Sequence, residues 1–146
     1  MNSNYSHAIP TDIDMGEIYM ATSKTTKKSY IGQAKCYVKS GKKFKKWGAE
    51  KRWNTHIYEA NSNKDHNKYL NDDIRKYGKE DFELKILTKC ELKMLDDMEI
   101  LYINHNNTIA PNGYNIFLGS SLKGLSNEAK EKLSKCRTNK THSPKT

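Results

Sequence analysis

Long apolar runs, clustered cysteines and a secretory leader are all missing from this 146-residue chain, and each absence removes a class of protein. No run approaches the roughly 18 apolar residues of a membrane-spanning helix. The opening residues, Met-Asn-Ser-Asn-Tyr-Ser-His, carry neither the basic nor the apolar region of a signal peptide. Cys36, Cys90 and Cys136 lie far apart and form no Cys-x-x-Cys pair, which supports neither a disulfide framework nor a zinc ribbon. A reduced, intracellular setting without a membrane partner is expected. Apolar residues make up 35% of the chain, so the core should be small. The length suits one domain with a short appendage.

Acids are scarce in two windows. Residues 24–55 hold eleven lysines and arginines against the single Glu50, and residues 121–146 hold seven basic residues against two acids. The remaining stretches carry net negative charge, so the total of +9 is unevenly placed. Two basic blocks around a near-neutral body point to two contact zones for a polyanion, with nucleic acid the better reading than simple solvation.

What is present begins with residues 17–32, EIYMATSKTTKKSYIG. Two β-prone runs flank a polar, lysine-rich turn, which is a hairpin pattern. Each arm carries a tyrosine, Tyr19 and Tyr30. They read either as half-buried strand aromatics or as two phenols sharing one site. Residues 39–46 read as an exposed basic loop interrupted by Phe44, with Trp47 next. Glu50 to Ala60 has helical spacing: Trp53, Ile57 and Ala60 form a core stripe, and Arg52, His56 and Glu59 share an adjacent face. Arg52 and His56 therefore point the same way, as a solvated pair or around an anionic phosphate.

A second helix is expected from His66 to Tyr77, closed by Gly78, and a strand from Phe82 to Leu87. Residues 91–104 form the most amphipathic helix, with Leu92, Leu95, Tyr102 and Ile103 on its stripe. Glu99 falls on that stripe, where a carboxylate is costly unless it is paired or binds a cation. The alternative is a glutamate at the stripe edge reaching water. Pro111 to Gly113 is a turn, followed by an extended run to Phe117 carrying Asn115. Past Gly119 the chain becomes basic and serine-rich, with one short helix capped by Ser126. The organisation expected is a lead-in over 1–15, one domain over 16–118 and a basic tail over 119–146.

In this order the residues resemble the GIY-YIG nucleases, and in particular the phage- and intron-type homing or free-standing members. Glu17-Ile18-Tyr19 stands in the first motif and Tyr30-Ile31-Gly32 in the second. Lys51-Arg52-Trp53 with His56 resembles the helix carrying an arginine and a histidine. Lys76-Tyr77-Gly78 before Phe82 resembles the lead into the third strand. Glu99 falls where the family keeps its metal-binding glutamate, and Gly113-Tyr114-Asn115 resembles the terminal motif. Two departures stand out: Glu17 replaces the family's glycine, and the stretch between Gly32 and Arg52 is longer than in compact members. Residues 124–134 resemble a nuclease-associated modular DNA-binding repeat, whose second copy near Thr141 is cut short.

The resemblance implies an α+β fold: a small three-stranded antiparallel sheet flanked by helices, with a basic helical appendage at the C-terminal end. It implies a DNA endonuclease, monomeric and without a small-molecule cofactor, that hydrolyses phosphodiesters in double-stranded DNA using Mg²⁺ or Mn²⁺ held by Glu99. The catalytic set it implies is Tyr19, Tyr30, Arg52, His56, Glu99 and Asn115, with His66 ranked lower. Tyr19 would orient or deprotonate the attacking water, with Tyr30 beside it and His56 holding Tyr19 or the water. Arg52 would neutralise the pentavalent phosphate, and Asn115 would brace the site. DNA contacts would fall to Lys42, Lys43, Lys45, Lys46, Lys51, Lys123, Lys130 and Arg137, and Glu17 should point away from DNA. The alternatives are a DNA-binding module without catalysis, or a repair or restriction nuclease of the same family.

Overall fold

Residues 11–62 and 67–116 are described by the structure, a computed structural model. Strands β1 (Met15–Ser23), β2 (Ser29–Lys35), β3 (Tyr37–Ser40) and β4 (Lys43–Lys46) come first. Helices α1 (Gly48–Asn61) and α2 (Lys68–Tyr77), strand β5 (Phe82–Glu91) and helix α3 (Leu95–Asn106) follow. β1 is the middle strand of a three-stranded antiparallel sheet ordered β2-β1-β5.

Its sequence explains that place, because both of its faces carry residues that can be buried. Ile18 and Met20 turn to one side, where they meet Ile31 and the Leu95, Ile100 and Ile103 stripe of α3. Tyr19 and Ala21 turn to the other, against Ala49, Trp53 and Ala60 of α1 and Leu70 and Ile74 of α2. Period-two alternation in one strand thus builds two half-cores. The β1–β2 turn is held from outside: the Ser23 and Thr25 hydroxyls donate to the Asp81 carboxylate at 2.6 and 2.7 Å. Those hydrogen bonds hold the Asp81 carboxyl below its ordinary range.

β2 lies at the sheet edge, where outward backbone groups need partners. Asn115 supplies them. The Ile31 N–H donates to Asn115 Oδ1 at 2.9 Å, and Asn115 Nδ2 donates to the Ile31 carbonyl at 2.8 Å. One side-chain amide therefore pairs like a residue of a fourth strand, while the Tyr114 N–H donates to the Ser29 carbonyl at 2.9 Å. The Thr108 hydroxyl donates to Asn115 Oδ1 at 2.7 Å and fixes which way the amide faces.

Several sequence expectations are corrected. Residues 39–46 are not a loop: they belong to the β3–β4 hairpin, in which the β-prone Tyr37, Val38 and Phe44 set the strands and Gly41-Lys42 makes a two-residue turn. The helix expected from Glu91 starts later, because β5 continues pairing to Glu91 opposite Met15 and Leu92–Met94 is a 3-10 turn. A register shift beside Ile18 and Tyr19 keeps Leu87 and Cys90 packed toward the α3 side over this longer strand. On α1 His56 is buried with Trp53 and Ala60, whereas Ile57 is only partly covered. On α3 Ile100 joins the buried stripe and Tyr102 is half-buried. The run expected over 113–117 forms only an isolated bridge from Asn115 to Ile109 among the described residues. α2 starts at Lys68 with Asn67 as its cap, its side chain accepting from the Leu70 N–H at 3.1 Å. His66, Lys123, Lys130, Arg137 and the tail helix lie outside the described residues. No helix among the described residues is long and apolar enough to cross a membrane.

Candidate active site

The antiparallel register sets Tyr19 opposite Gly32. A Cβ at position 32 would come within 2.6 Å of the Tyr19 hydroxyl oxygen and 2.9 Å of Tyr30 Cε2. Glycine is required there because the Tyr19 phenol lies across the backbone of its partner strand. Tyr30, two positions before Gly32, shares that face, and its ring centroid is 6.3 Å from that of Tyr19. α1 crosses the same face and brings the buried His56 down on the pair. His56 Nε2 lies 3.1 Å from the Tyr19 hydroxyl, and the imidazole meets Tyr30 edge-on with centroids 5.1 Å apart. Trp53 packs behind the imidazole at 5.7 Å.

Both phenols are held neutral. Burial raises the Tyr19 pKa well above the usual 10.0, the neighbouring Tyr30 adds to it, and the Arg52 charge opposes. Tyr30 is pushed up to about 12, by burial first and then by the Glu99 carboxylate, again against Arg52. Arg52 and Glu99 thus lie within electrostatic reach of both phenols, and so does Glu59 from the same face of α1. Arg52 is half-buried one turn before His56.

Glu99 is buried on α3, with 4% of its surface exposed. Gln33 Nε2 donates to Glu99 Oε1 at 3.0 Å and to Asp96 Oδ1 at 2.9 Å. Gln33 shares the face of Ile31, opposite to that of Tyr30 and Gly32, so the tyrosines and the carboxylates approach the β2 edge from opposite faces of the sheet. Among the described residues no cluster of three or more His, Cys, Asp or Glu side chains gathers around one point. The donors at this edge are carboxylates, Glu99 with Asp96 one turn before it. That set fits a hard ion such as Mg²⁺, which takes one or two carboxylates and keeps most of its water. It does not fit zinc, which favours nitrogen and sulfur donors.

Glu17 points along the same sheet face as Tyr19 but ends at the start of α1, where its Oε1 accepts the Ala49 N–H at 2.8 Å. The helix has no cap from Trp47, so β1 supplies one remotely, and the positive helix end offsets the carboxylate charge. Gly48, at φ +88°, makes the room: a Cβ there would sit 2.9 Å from Glu17 Oε1. Ala49 and His56 are seven positions apart on α1, about 10 Å along its axis, which keeps this carboxylate away from the phenols. Asn115 reaches the site only through Ile31. Lys42, Lys43, Lys45 and Lys46 on the hairpin and Lys51 on α1 are all exposed. Sequence reasoning missed Gln33, Thr108 and the capping role of Glu17; strand parity after Gly32 was the one available signal for Gln33.

Comparisons with known proteins bear on the family and the fold. Residues 2–115 match the family model described as "Putative endonuclease segE, GIY-YIG domain". An uncharacterized protein of Acanthamoeba polyphaga mimivirus is 31% identical over 108 residues, covering 73% of this chain. The match spans 42% of that relative's length, so the viral protein is much longer than the shared part. Among solved structures, the catalytic domain of the intron endonuclease I-TevI, as a point mutant, superposes with a TM-score of 0.57 at 25% identity. That match covers 73% of this chain and 97% of the other. The catalytic domain of the homing endonuclease I-TevI gives 0.55 at 26% identity, covering 70% and 98%.

Proposed function

The chain belongs to the GIY-YIG endonuclease domain family, and on that premise we propose that it is a Mg²⁺-dependent endonuclease of the homing or free-standing mobile-element type, cutting double-stranded DNA. The observation that carries this reading is the gathering of Tyr19, Tyr30 and His56 on one sheet face, with Arg52 and Glu99 acting electrostatically on both phenols.

The chemistry follows from the neutral phenol. Tyr19 is a poor standing base at its raised pKa, but its hydroxyl has an acceptor 3.1 Å away in His56 Nε2 when the imidazole carries its proton on Nδ1. The attacking water gives its proton to the Tyr19 oxygen as the Tyr19 proton passes to His56, so no free phenolate accumulates. The new P–O bond forms as the bond to the 3′ oxygen breaks. Arg52 presents a guanidinium fork to the charge that builds on the phosphate, a geometry lysine cannot match. Glu99, its Oε1 fixed by Gln33, would hold the divalent ion, which when bound supplies charge to the scissile phosphate and the leaving oxygen.

Nicking of supercoiled plasmid in Mg²⁺, and its loss in EDTA, tests the reading. Glu99→Ala is expected to abolish nicking while retaining most DNA affinity, and retained cleavage sinks the metal assignment. Tyr19→Phe is expected to slow single-turnover nicking by at least ~10²-fold; a near-normal rate removes the proton relay.

A further inference from the structure

We infer that the β3–β4 hairpin is a ribbon that docks in the major groove of the DNA substrate, with lysines set toward phosphates on both groove walls. The inference rests on the nuclease reading above and goes on to say where the duplex lies against the protein.

The register determines the faces. Tyr37 pairs with Lys46 and Lys39 with Phe44, so these four residues share one face; Val38 pairs with Lys45 and Ser40 with Lys43, and these share the other. Each face therefore carries two lysines, and Lys42 stands at the tip beside Gly41. All five lysines are exposed, and none forms an ion pair with an acid among the described residues. Phe44 sits among them with 44% of its surface in solvent.

Such a hairpin is not built for its own stability. It forms a separate two-stranded sheet, a unit that is marginal in water when nothing covers it, and its clustered like charges repel. A polyanion on both sides removes that repulsion. The dimensions select the groove. Two paired strands are about 4.8 Å apart before side chains are added, which suits the major groove of about 12 Å better than the minor groove of about 6 Å. Four residues reach about 13 Å, or about four base-pair steps at 3.4 Å each.

The root is firm where the tip is free. The Trp47 N–H donates to the Cys36 carbonyl at 2.8 Å, the Cys36 N–H donates to the Met15 carbonyl at 3.0 Å, and the Trp47 ring packs on the α1-side core. α1 begins at the next residue and carries Arg52 little more than one turn on. A ribbon rooted this way would hold the position of the groove relative to Arg52.

The test compares the full chain with the triple variant Lys42→Gln, Lys43→Gln, Lys45→Gln and with a charge-matched control, Lys79→Gln, Lys85→Gln, Lys93→Gln, at exposed lysines outside the hairpin. Duplex affinity is measured from 50 to 300 mM salt, and bound DNA is probed with dimethyl sulfate. Melting midpoints within a few degrees of wild type establish that each variant is folded. The hairpin variant is expected to lower the log–log salt slope by about 3 and to lose protection of guanine N7, the major-groove atom, while the control moves the slope by less than about 1. Equal changes in both variants reduce the effect to net charge and overturn the proposal, and so does protection of adenine N3 in place of guanine N7. A wild-type chain that neither binds nor nicks duplex DNA in Mg²⁺ refutes the nuclease reading and the ribbon with it. A wild type that nicks while the hairpin variant keeps its slope and footprint refutes the ribbon alone.

Discussion

Gly32 decides whether Tyr19 has a place to lie. Because the added methyl of Gly32→Ala would meet the Tyr19 hydroxyl and the Tyr30 ring rather than open space, the variant should lose about 1–3 kcal/mol in urea unfolding. Its nicking should fall as far as that of Tyr19→Phe; full activity would show that the phenol need not sit there. Alkaline pH reads the same side chains differently. Tyr30 and Tyr114 both ionise at about 12 in the folded chain against 10.0 unfolded, each because burial disfavours the phenolate. The folded chain keeps protons that the unfolded chain releases, so this stability is complete below pH 10 and drains away as pH rises toward 12. The loss should approach ~1.4 kcal/mol per pH unit for Tyr30 and be smaller for Tyr114, whose hydroxyl is only part-buried; unfolding midpoints at pH 8, 10 and 11 measure it. At this scale periodicity carried far. Helix spacing placed Arg52 and His56 one turn apart and Glu99 on a buried stripe. It gave no access to Glu17 or Thr108, whose hydrogen bonds join residues on different elements and follow no repeat, and Gln33 was signalled only by strand parity after Gly32.

Elements show why a few polar side chains matter more than their number suggests. Asn115 satisfies the Ile31 N–H and carbonyl and receives the Thr108 hydroxyl, all in a buried setting. Asn115→Ala leaves those groups without partners and should cost about 2–4 kcal/mol, with faster amide exchange at Ile31 than at Tyr19. Unchanged exchange at Ile31 would mean that the edge is protected by something else. The β1–β2 hairpin, the third strand and the helices were legible from alternation and helical spacing. The β3–β4 hairpin was not, because its lysine content reads as loop composition while its pairing depends on a short turn and a cross-strand register. The start of α3 was misplaced because β5 bends its register beside Tyr19 and runs on, a feature set by its partner strand rather than by its own sequence.

For the whole molecule, charge is the property that reaches beyond the fold. The β3–β4 hairpin gathers five exposed lysines in eight residues, and residues 121–146, outside the described residues, add seven basic residues against two acids. Removing 121–146 should weaken duplex binding and flatten its salt dependence, as read by fluorescence anisotropy across a salt series; identical curves would make the tail a bystander. The three-stranded sheet was legible as a class; the buriable residues on both faces of β1 suit a middle strand, but which strands flank it emerges only from its pairing with both β2 and β5. The Asn115 clamp also sets an order in time. Its two ends are 84 positions apart, so the ribosome delivers the phenols and the imidazole early and the amide that closes their strand late. A nascent chain that stops short of residue 115 has Tyr19, Tyr30, Arg52, His56 and Glu99 without the amide that closes the β2 edge, so the proposed cutting centre would be completed only once residue 115 has emerged.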